Sequence, residues 1–158
     1  DEDDIQMIQE KVNLSSIVND VVMGFEPAIY ADNKTLDTHI QEDVFVKGSH
    51  DGLEKVLSTL MNNALKYTSK KGQFHVELKT KNNRVYLSVE NTSDNLEVKT
   101  YDEYFERFYR AEASRNSQTG GFGIGLAIAK SIIEDHKGSI EALSKDGKTF
   151  SIIIQLKQ

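Results

Sequence analysis

The chain predicts an α+β domain, a two-layer sandwich in which helices cover one face of a largely antiparallel sheet. Three observations lead there. Two apolar stripes at helical spacing, through Leu14–Phe25 and Leu53–Leu65, are separated by short strand-like runs. Two pairs of apolar strands, Phe74-Val76-Leu78 with Val85-Leu87-Val89 and Ser139–Leu143 with Phe150–Leu156, are each joined by turn residues. Each pair therefore closes as an antiparallel hairpin. Such hairpins favour helices laid over one face of the sheet. A doubly wound fold would need strands alternating regularly with helices, and they do not.

Composition sets the bounds. With 158 residues, 38% of them hydrophobic and 28% charged, the chain can build one well-packed core and is too short for two ordinary domains. A net charge of −6 argues against a nucleic-acid surface, which needs a basic face. The absence of cysteine excludes disulfide and thiolate chemistry and permits a reducing compartment. No apolar run approaches the ~20 residues of a membrane span, so no direct membrane contact is expected.

Taken in order, the acidic residues Asp1-Glu2-Asp3-Asp4 open a segment, residues 1–10, expected to be the remnant of an upstream helix or linker. Residues 11–158 form the domain. Leu14, Ile17, Val18, Val21, Val22 and Phe25 predict a first helix, with Asn13 or Ser15 as its cap. The one proline, Pro27, is expected to kink or end it. Leu36–Ile40 and Val44–Val46 read as strands. Leu53, Val56, Leu57, Leu60, Met61, Ala64 and Leu65 then make a continuous helical stripe.

The first hairpin turns at Asn82-Asn83 and the last around Asp146-Gly147. Between them, Thr92–Gly120 is polar and irregular except for an aromatic piece at helical spacing, Tyr101, Tyr104, Phe105 and Phe108. Its apolar face would anchor a long loop.

The segment Gly120-Gly121-Phe122-Gly123-Ile124-Gly125-Leu126 places four glycines in six residues and runs straight into a helical pattern. Glycine in a helix costs about 1 kcal/mol relative to alanine, so the spacing needs a reason. Backbone N–H groups without Cβ atoms can close around an anion, and the following helix N-terminus adds a favourable dipole. The segment reads as a phosphate cradle. It does not follow a strand directly, which weakens a dinucleotide-fold reading, and the Gly-x4-Gly-Lys-Ser/Thr loop is absent.

On the second helix, at about 100° per residue, Thr59, Asn63, Lys66 and Lys70 share one sector beside the apolar stripe. The Asn63 amide oxygen suits Mg²⁺, which takes most of its remaining ligands from water and phosphate. Lys66, one turn on, offers a positive charge to the same phosphates.

Together these segments resemble something specific. Asn63-Ala64-Leu65-Lys66-Tyr67-Thr68 is similar to the N box of sensor histidine kinases, Phe105-Glu106-Arg107-Phe108-Tyr109-Arg110 to their F box, and Gly121-Phe122-Gly123-Ile124-Gly125-Leu126 to their G2 box. All three stand in family order, from about residue 11 to the C-terminus. The resemblance is to the catalytic, ATP-binding domain of two-component histidine kinases, within the wider group of gyrase and Hsp90 relatives.

The resemblance implies the Bergerat-type fold, with a mixed, mostly antiparallel sheet covered on one face by helices, and ATP held between the N-box helix and a flexible lid, about residues 92–120. It implies that Asn63 holds Mg²⁺, Lys66 approaches the phosphates and Tyr67 lines the nucleotide site. Gly121, Gly123 and Gly125, followed by Leu126, would wrap the phosphates, with Arg110 and Arg115 reaching in from the lid. Thr149 matches a family threonine near adenine. The aromatic face around Tyr104 would touch the helical domain that carries the phosphoacceptor.

Three departures qualify this. The family's G1 box reads Asp-x-Gly-x-Gly; here Asn91 stands for the aspartate, and Ser93 and Asn95 for the glycines. An amide still presents an acceptor to adenine but loses charge assistance, roughly 1 kcal/mol or about fivefold in affinity. Thr59 stands where these kinases carry another Asn and water-activating relatives a Glu, which argues against ATP hydrolysis. Finally, His39, His50, His75 and His136 all lack the family's phosphoacceptor context and are expected to be ordinary histidines.

The expected function is therefore a protein-histidine kinase catalytic domain that binds ATP and Mg²⁺. It would pass the γ-phosphoryl to a histidine on a separate helical domain of the same protein, and be inactive in autophosphorylation without it. A response regulator would be the partner of the full-length kinase, and the domain would be the cytoplasmic part of a membrane-anchored sensor. The alternative is a non-catalytic nucleotide sensor or interaction module with a degenerate adenine site.

Overall fold

Asn13 ends a short strand and begins the first helix by accepting the Ser16 N–H on its side-chain oxygen at 3.1 Å. Of the two candidate caps it is the one used. Ser15 points inward instead, donating to the Gln41 carbonyl at 2.6 Å and accepting the Val44 N–H at 2.9 Å. A computed structural model describes residues 9–107 and 125–158. In chain order its elements are β1 (Glu10–Asn13), α1 (Leu14–Ala31), β2 (Thr35–Ile40), β3 (Phe45–Gly48) and α2 (His50–Tyr67). There follow β4 (Gln73–Lys81), β5 (Arg84–Thr92), β6 (Lys99–Thr100), a 3-10 turn (Asp102–Phe105), α3 (Gly125–Asp135), β7 (Ser139–Ser144) and β8 (Thr149–Lys157).

Pro27 does not end α1, one of the two outcomes expected of it, nor does it stop the helix's core contact. The helix runs on to Ala31, and Ile29, beyond the proline, is fully buried. A proline ring forfeits the hydrogen bond to the carbonyl four residues back. Here that residue is Met23, 62% exposed, so water can take the freed carbonyl. Burial of Ile29 favours continuing the last turn.

Among the described residues the main sheet has six strands in the order β2-β4-β5-β8-β7-β6. β2 and β4 pair in parallel and every other ladder is antiparallel, which gives the mixed sheet expected. The parallel pair brackets α2, which crosses over one face. The β4–β5 turn has Asn82 and Asn83 both at positive φ, 53° and 64°. That is the geometry whose twist matches a two-residue hairpin.

Two strands escaped the sequence pattern. β1 pairs with β3, Val12 opposite Val46, as a separate two-stranded ribbon. β6, only two residues long, pairs with the end of β7. It pins the aromatic piece, so that among the described residues its helical spacing is realised as one 3-10 turn. Tyr101, Tyr104 and Phe150 cluster there with ring centroids 5.2–5.7 Å apart.

The core lies between the sheet and the helices. Phe74, Val76 and Leu78 of β4, Val85, Leu87 and Val89 of β5, and Ile152, Ile154 and Leu156 of β8 alternate onto the covered face. Against them pack the stripes of α1 and α2, with Ala129 and Ile133 of α3. The intervening positions face away from the helices.

Candidate functional site

Helix α2 starts at Ser49, whose hydroxyl accepts the Gly52 N–H at 3.0 Å, with Asp51 in the favourable first turn and Lys66 in the last. It stops where the Thr68 hydroxyl and N–H both turn back on the Ala64 carbonyl. Leu53, Val56, Leu57, Leu60, Met61 and Ala64 are buried. At the border of this stripe Asn63 and Tyr67 are half-buried and Lys66 is exposed. The amide and the ammonium thus lie one turn apart on the rim of the helix layer.

Helix α3 packs along α2, and its first residue marks the meeting point. A Cβ built on Gly125 would stand 3.4 Å from Thr59 Cγ2. The end of the glycine segment therefore abuts α2 one turn before Asn63. Leu126, next to it, is half-buried. The Thr59 hydroxyl donates to the Lys55 carbonyl at 2.8 Å, so its proton is committed to its own helix. Arg110, Gly121 and Gly123, together with Arg115 and Phe108, lie outside the described residues.

Asn91 closes the covered face of β5, below the helix layer. It is 2% exposed, stands between Phe74 and Phe150 in the strand register, and donates its amide N–H to the Thr92 carbonyl at 3.1 Å. Its side-chain oxygen is the acceptor that an adenine amino group would need.

Thr149 borders the same cavity as Asn91, but its side chain does not stand beside the amide. The register pairs it with Thr92, one step past the Asn91–Phe150 pair, and strand alternation turns it to the opposite face. Its N–H and hydroxyl go to Asp146 instead, the N–H at 2.8 Å. Hydrogen bonds from the N–H groups of Lys148 and Thr149 hold the Asp146 carboxyl below its usual range. At the β6 edge of the sheet, Lys99 pairs with Glu103 at 3.1 Å. That hydrogen bond raises the lysine, while the first-turn N–H of Glu103 and then Lys99 lower the glutamate.

A cavity of about 430 Å³ borders the same strand ends. Most of its lining, including Asp37, His75, Glu90, Thr92 and Thr149, alternates onto the uncovered face. Asn91 borders it from the covered side, whereas Asn63, Lys66 and Gly125 do not.

Reasoning along the chain missed what fastens α3. His136, at its C-terminal end, is 8% exposed and reaches across to the N-cap of α2. No local pattern announces such a contact.

This arrangement has counterparts. A family model described as "Histidine kinase-, DNA gyrase B-, and HSP90-like ATPase" matches residues 48–158. The sensor protein DltS of Streptococcus agalactiae serotype III (strain NEM316) is 33% identical over 133 residues, 84% of this chain and 33% of that protein. The sensor protein kinase WalK of Staphylococcus epidermidis (strain ATCC 12228) is 31% identical over 159 residues, 99% of this chain and 26% of that protein. The chain thus spans about a quarter to a third of the length of these relatives. Among solved structures, the nucleotide-free catalytic domain of the histidine kinase ThkA superimposes with a TM-score of 0.80 at 24% identity, covering 94% of this chain and 95% of that one. ThkA in complex with the response regulator protein TrrA gives 0.73 at 21% identity, covering 96% and 42%.

Proposed function

The chain belongs to the histidine kinase-, DNA gyrase B- and HSP90-like ATPase family, and from that premise we propose that it is the catalytic, ATP-binding part of a sensor histidine kinase. It binds ATP on the rim formed by α2 and the start of α3, and delivers the γ-phosphoryl to a histidine on a separate helical domain. One observation carries the reading: Gly125 abuts Thr59, so the glycine segment ends one turn from Asn63 and about two turns from Lys66. An anion cradle, a hard oxygen ligand and a cation then converge on one polyphosphate.

The donor set fits magnesium. Asn63 supplies a half-buried amide oxygen, and an ion that keeps several waters and takes phosphate oxygens needs little more from the protein. Bound there, the ion would neutralise charge on the transferring phosphoryl group. Asn63 would hold it and Lys66 the phosphates, and Arg110, outside the described residues, would add a second cation. Asn91 accepts from the adenine amino group and Tyr67 lines the base site. The acceptor imidazole is itself the nucleophile, so no water-activating base is needed, and the committed Thr59 hydroxyl supplies none.

Association with a response regulator would follow in the full-length protein, with the domain on the cytoplasmic side of a membrane-anchored sensor. No helix among the described residues is long and apolar enough to cross a membrane.

The second reading, a non-catalytic nucleotide sensor, is favoured by the neutral Asn91 facing Phe150 across the ladder. One experiment separates the two. The chain is joined to the helical phosphoacceptor domain of its own protein and incubated with labelled ATP. Acid-labile phosphohistidine that disappears in Asn63→Ala supports the kinase. ATP binding without phosphohistidine supports the sensor.

A further inference from the structure

On the sheet face that the helices leave uncovered, the parallel register of β2 and β4 sets Asp37 beside His75 and His39 beside Glu77. The β4–β5 ladder adds Glu90 next to His75. Alternation puts all five side chains on one face. Asp37 Oδ2 is their common vertex, 2.9 Å from His75 Nδ1 and 3.4 Å from His39 Nε2. The two imidazoles are tilted by 52°, with centroids 5.5 Å apart.

We propose that Asp37, His39 and His75 form a site for a divalent transition-metal ion of the zinc type, on the sheet face opposite the Asn63–Gly125 rim. Donor atoms held at about 2.0–2.2 Å around one tetrahedral ion stand about 3.4 Å from each other. The contact of Asp37 Oδ2 with His39 already has that spacing, and the one with His75, a hydrogen bond at 2.9 Å, must open by about half an ångström and exchange its proton for the metal. The strand ladder fixes the Cα positions, and His39, 66% exposed, can turn its ring to complete the triangle. The adjoining cavity leaves room for a water as fourth ligand. Glu77 and Glu90 add negative charge, and the cation drawn against the group, Lys79, stands 3.8 Å from Glu77. Imidazole donors select zinc, copper or nickel over the magnesium of an ATP site.

Another cluster, His50, Asp51 and Glu54, has donor atoms within 4.8 Å of one another. It sits on the first turn of α2, where the helix dipole and free N–H groups disfavour a cation. It is the competing location that the test must separate.

The test is a zinc titration of the chain without nucleotide at neutral pH, read by the ring-proton NMR signals of its four histidines. One equivalent at micromolar zinc should move the signals of His39 and His75 and leave those of His50 and His136 in place. His39→Ala, His75→Ala and Asp37→Asn should each weaken binding roughly tenfold or more. Melting temperatures in chelator verify that each variant is folded, and His39→Ala, the most exposed, carries the test if His75→Ala is not. Movement of the His50 signals instead, binding that survives His39→Ala, or no saturation at millimolar zinc overturns the proposal.

Discussion

His136 Nε2 accepts the backbone N–H of Ser49 at 3.0 Å across 87 residues of sequence, and its Nδ1 donates to the Ile132 carbonyl at 2.8 Å. The C-terminal end of α3 is thereby fastened to the N-cap of α2. The ring lies so close over Gly48 that a Cβ there would stand 2.2 Å from His136 Cδ2. Two helices that hold the proposed nucleotide site are registered by one imidazole and one missing side chain.

Removing either half should therefore be costly, and the costs should not add. His136→Ala leaves the Ser49 N–H unpaired and a void behind it, lowering stability by about 1–3 kcal/mol. Gly48→Ala should cost a similar amount by overpacking. In the His136→Ala background the clash is gone, so the second substitution should be nearly silent. Urea melts of the double-mutant cycle measure the coupling; simple additivity would contradict the contact.

Excess Mg·ATP at ~100 times Kd should stabilise the chain by about 2.7 kcal/mol, roughly 5–10 °C in Tm. Asn63→Ala should remove the magnesium dependence of that shift. Gly125→Ala is the sharper probe. Its new methyl meets Thr59 at ordinary contact distance, so Tm without nucleotide should hold or rise slightly. The nucleotide shift should nonetheless shrink, because a Cβ keeps phosphate off the backbone. An unchanged shift would remove Gly125 from the site.

Asn91→Asp should act in opposite directions on stability and affinity. A carboxylate at this 2%-exposed position loses the bond to the Thr92 carbonyl and is desolvated, so Tm without ligand should fall. Charge assistance to adenine should tighten ATP about fivefold. Calorimetric titration checks the second effect, and weaker binding would separate Asn91 from the base.

Asp146 makes the β7–β8 turn sensitive to acid. Its folded-state carboxyl titrates below its ordinary value because two backbone N–H groups donate to it. Such a group stabilises the fold above the unfolded-state value, near pH 4, and loses that contribution as the pH falls through the folded-state value. Asp146→Asn keeps an acceptor oxygen, so its Tm at pH 7 should stay close to that of the parent and decline less on acidification. Asp146→Ala should lower Tm at pH 7, by a margin that shrinks below about pH 4. Parallel acid limbs for all three chains would show that the turn does not titrate.

Several features were legible because short-range physics decides them. The stripe from Leu53 to Ala64 needs only helical periodicity, and Asn82-Asn83 needs only two residues that tolerate positive φ. The Asn63–Lys66 sector needs only the pitch of a helix. The motif order around them suffices for the family.

Other features waited on the packed chain. Whether Asn13 or Ser15 caps α1 depends on Val44, 29 residues on, which claims the Ser15 hydroxyl. Pro27 stays helical because Met23 faces water and Ile29 faces the core. The side chains of Thr149 and Asn91 part company because the register of the adjoining strands β8 and β5 offsets them by one residue, and one residue changes the face. His39, His75 and Asp37 meet only through a parallel pairing between strands 38 residues apart. The sequence by itself determined most of the elements, the antiparallel hairpins and the chemistry near α2, since these follow from periodicity and backbone preference within a few residues. Tertiary structure decided which faces meet, because strand register and helix docking are set by long-range burial and by contacts such as His136 with Ser49.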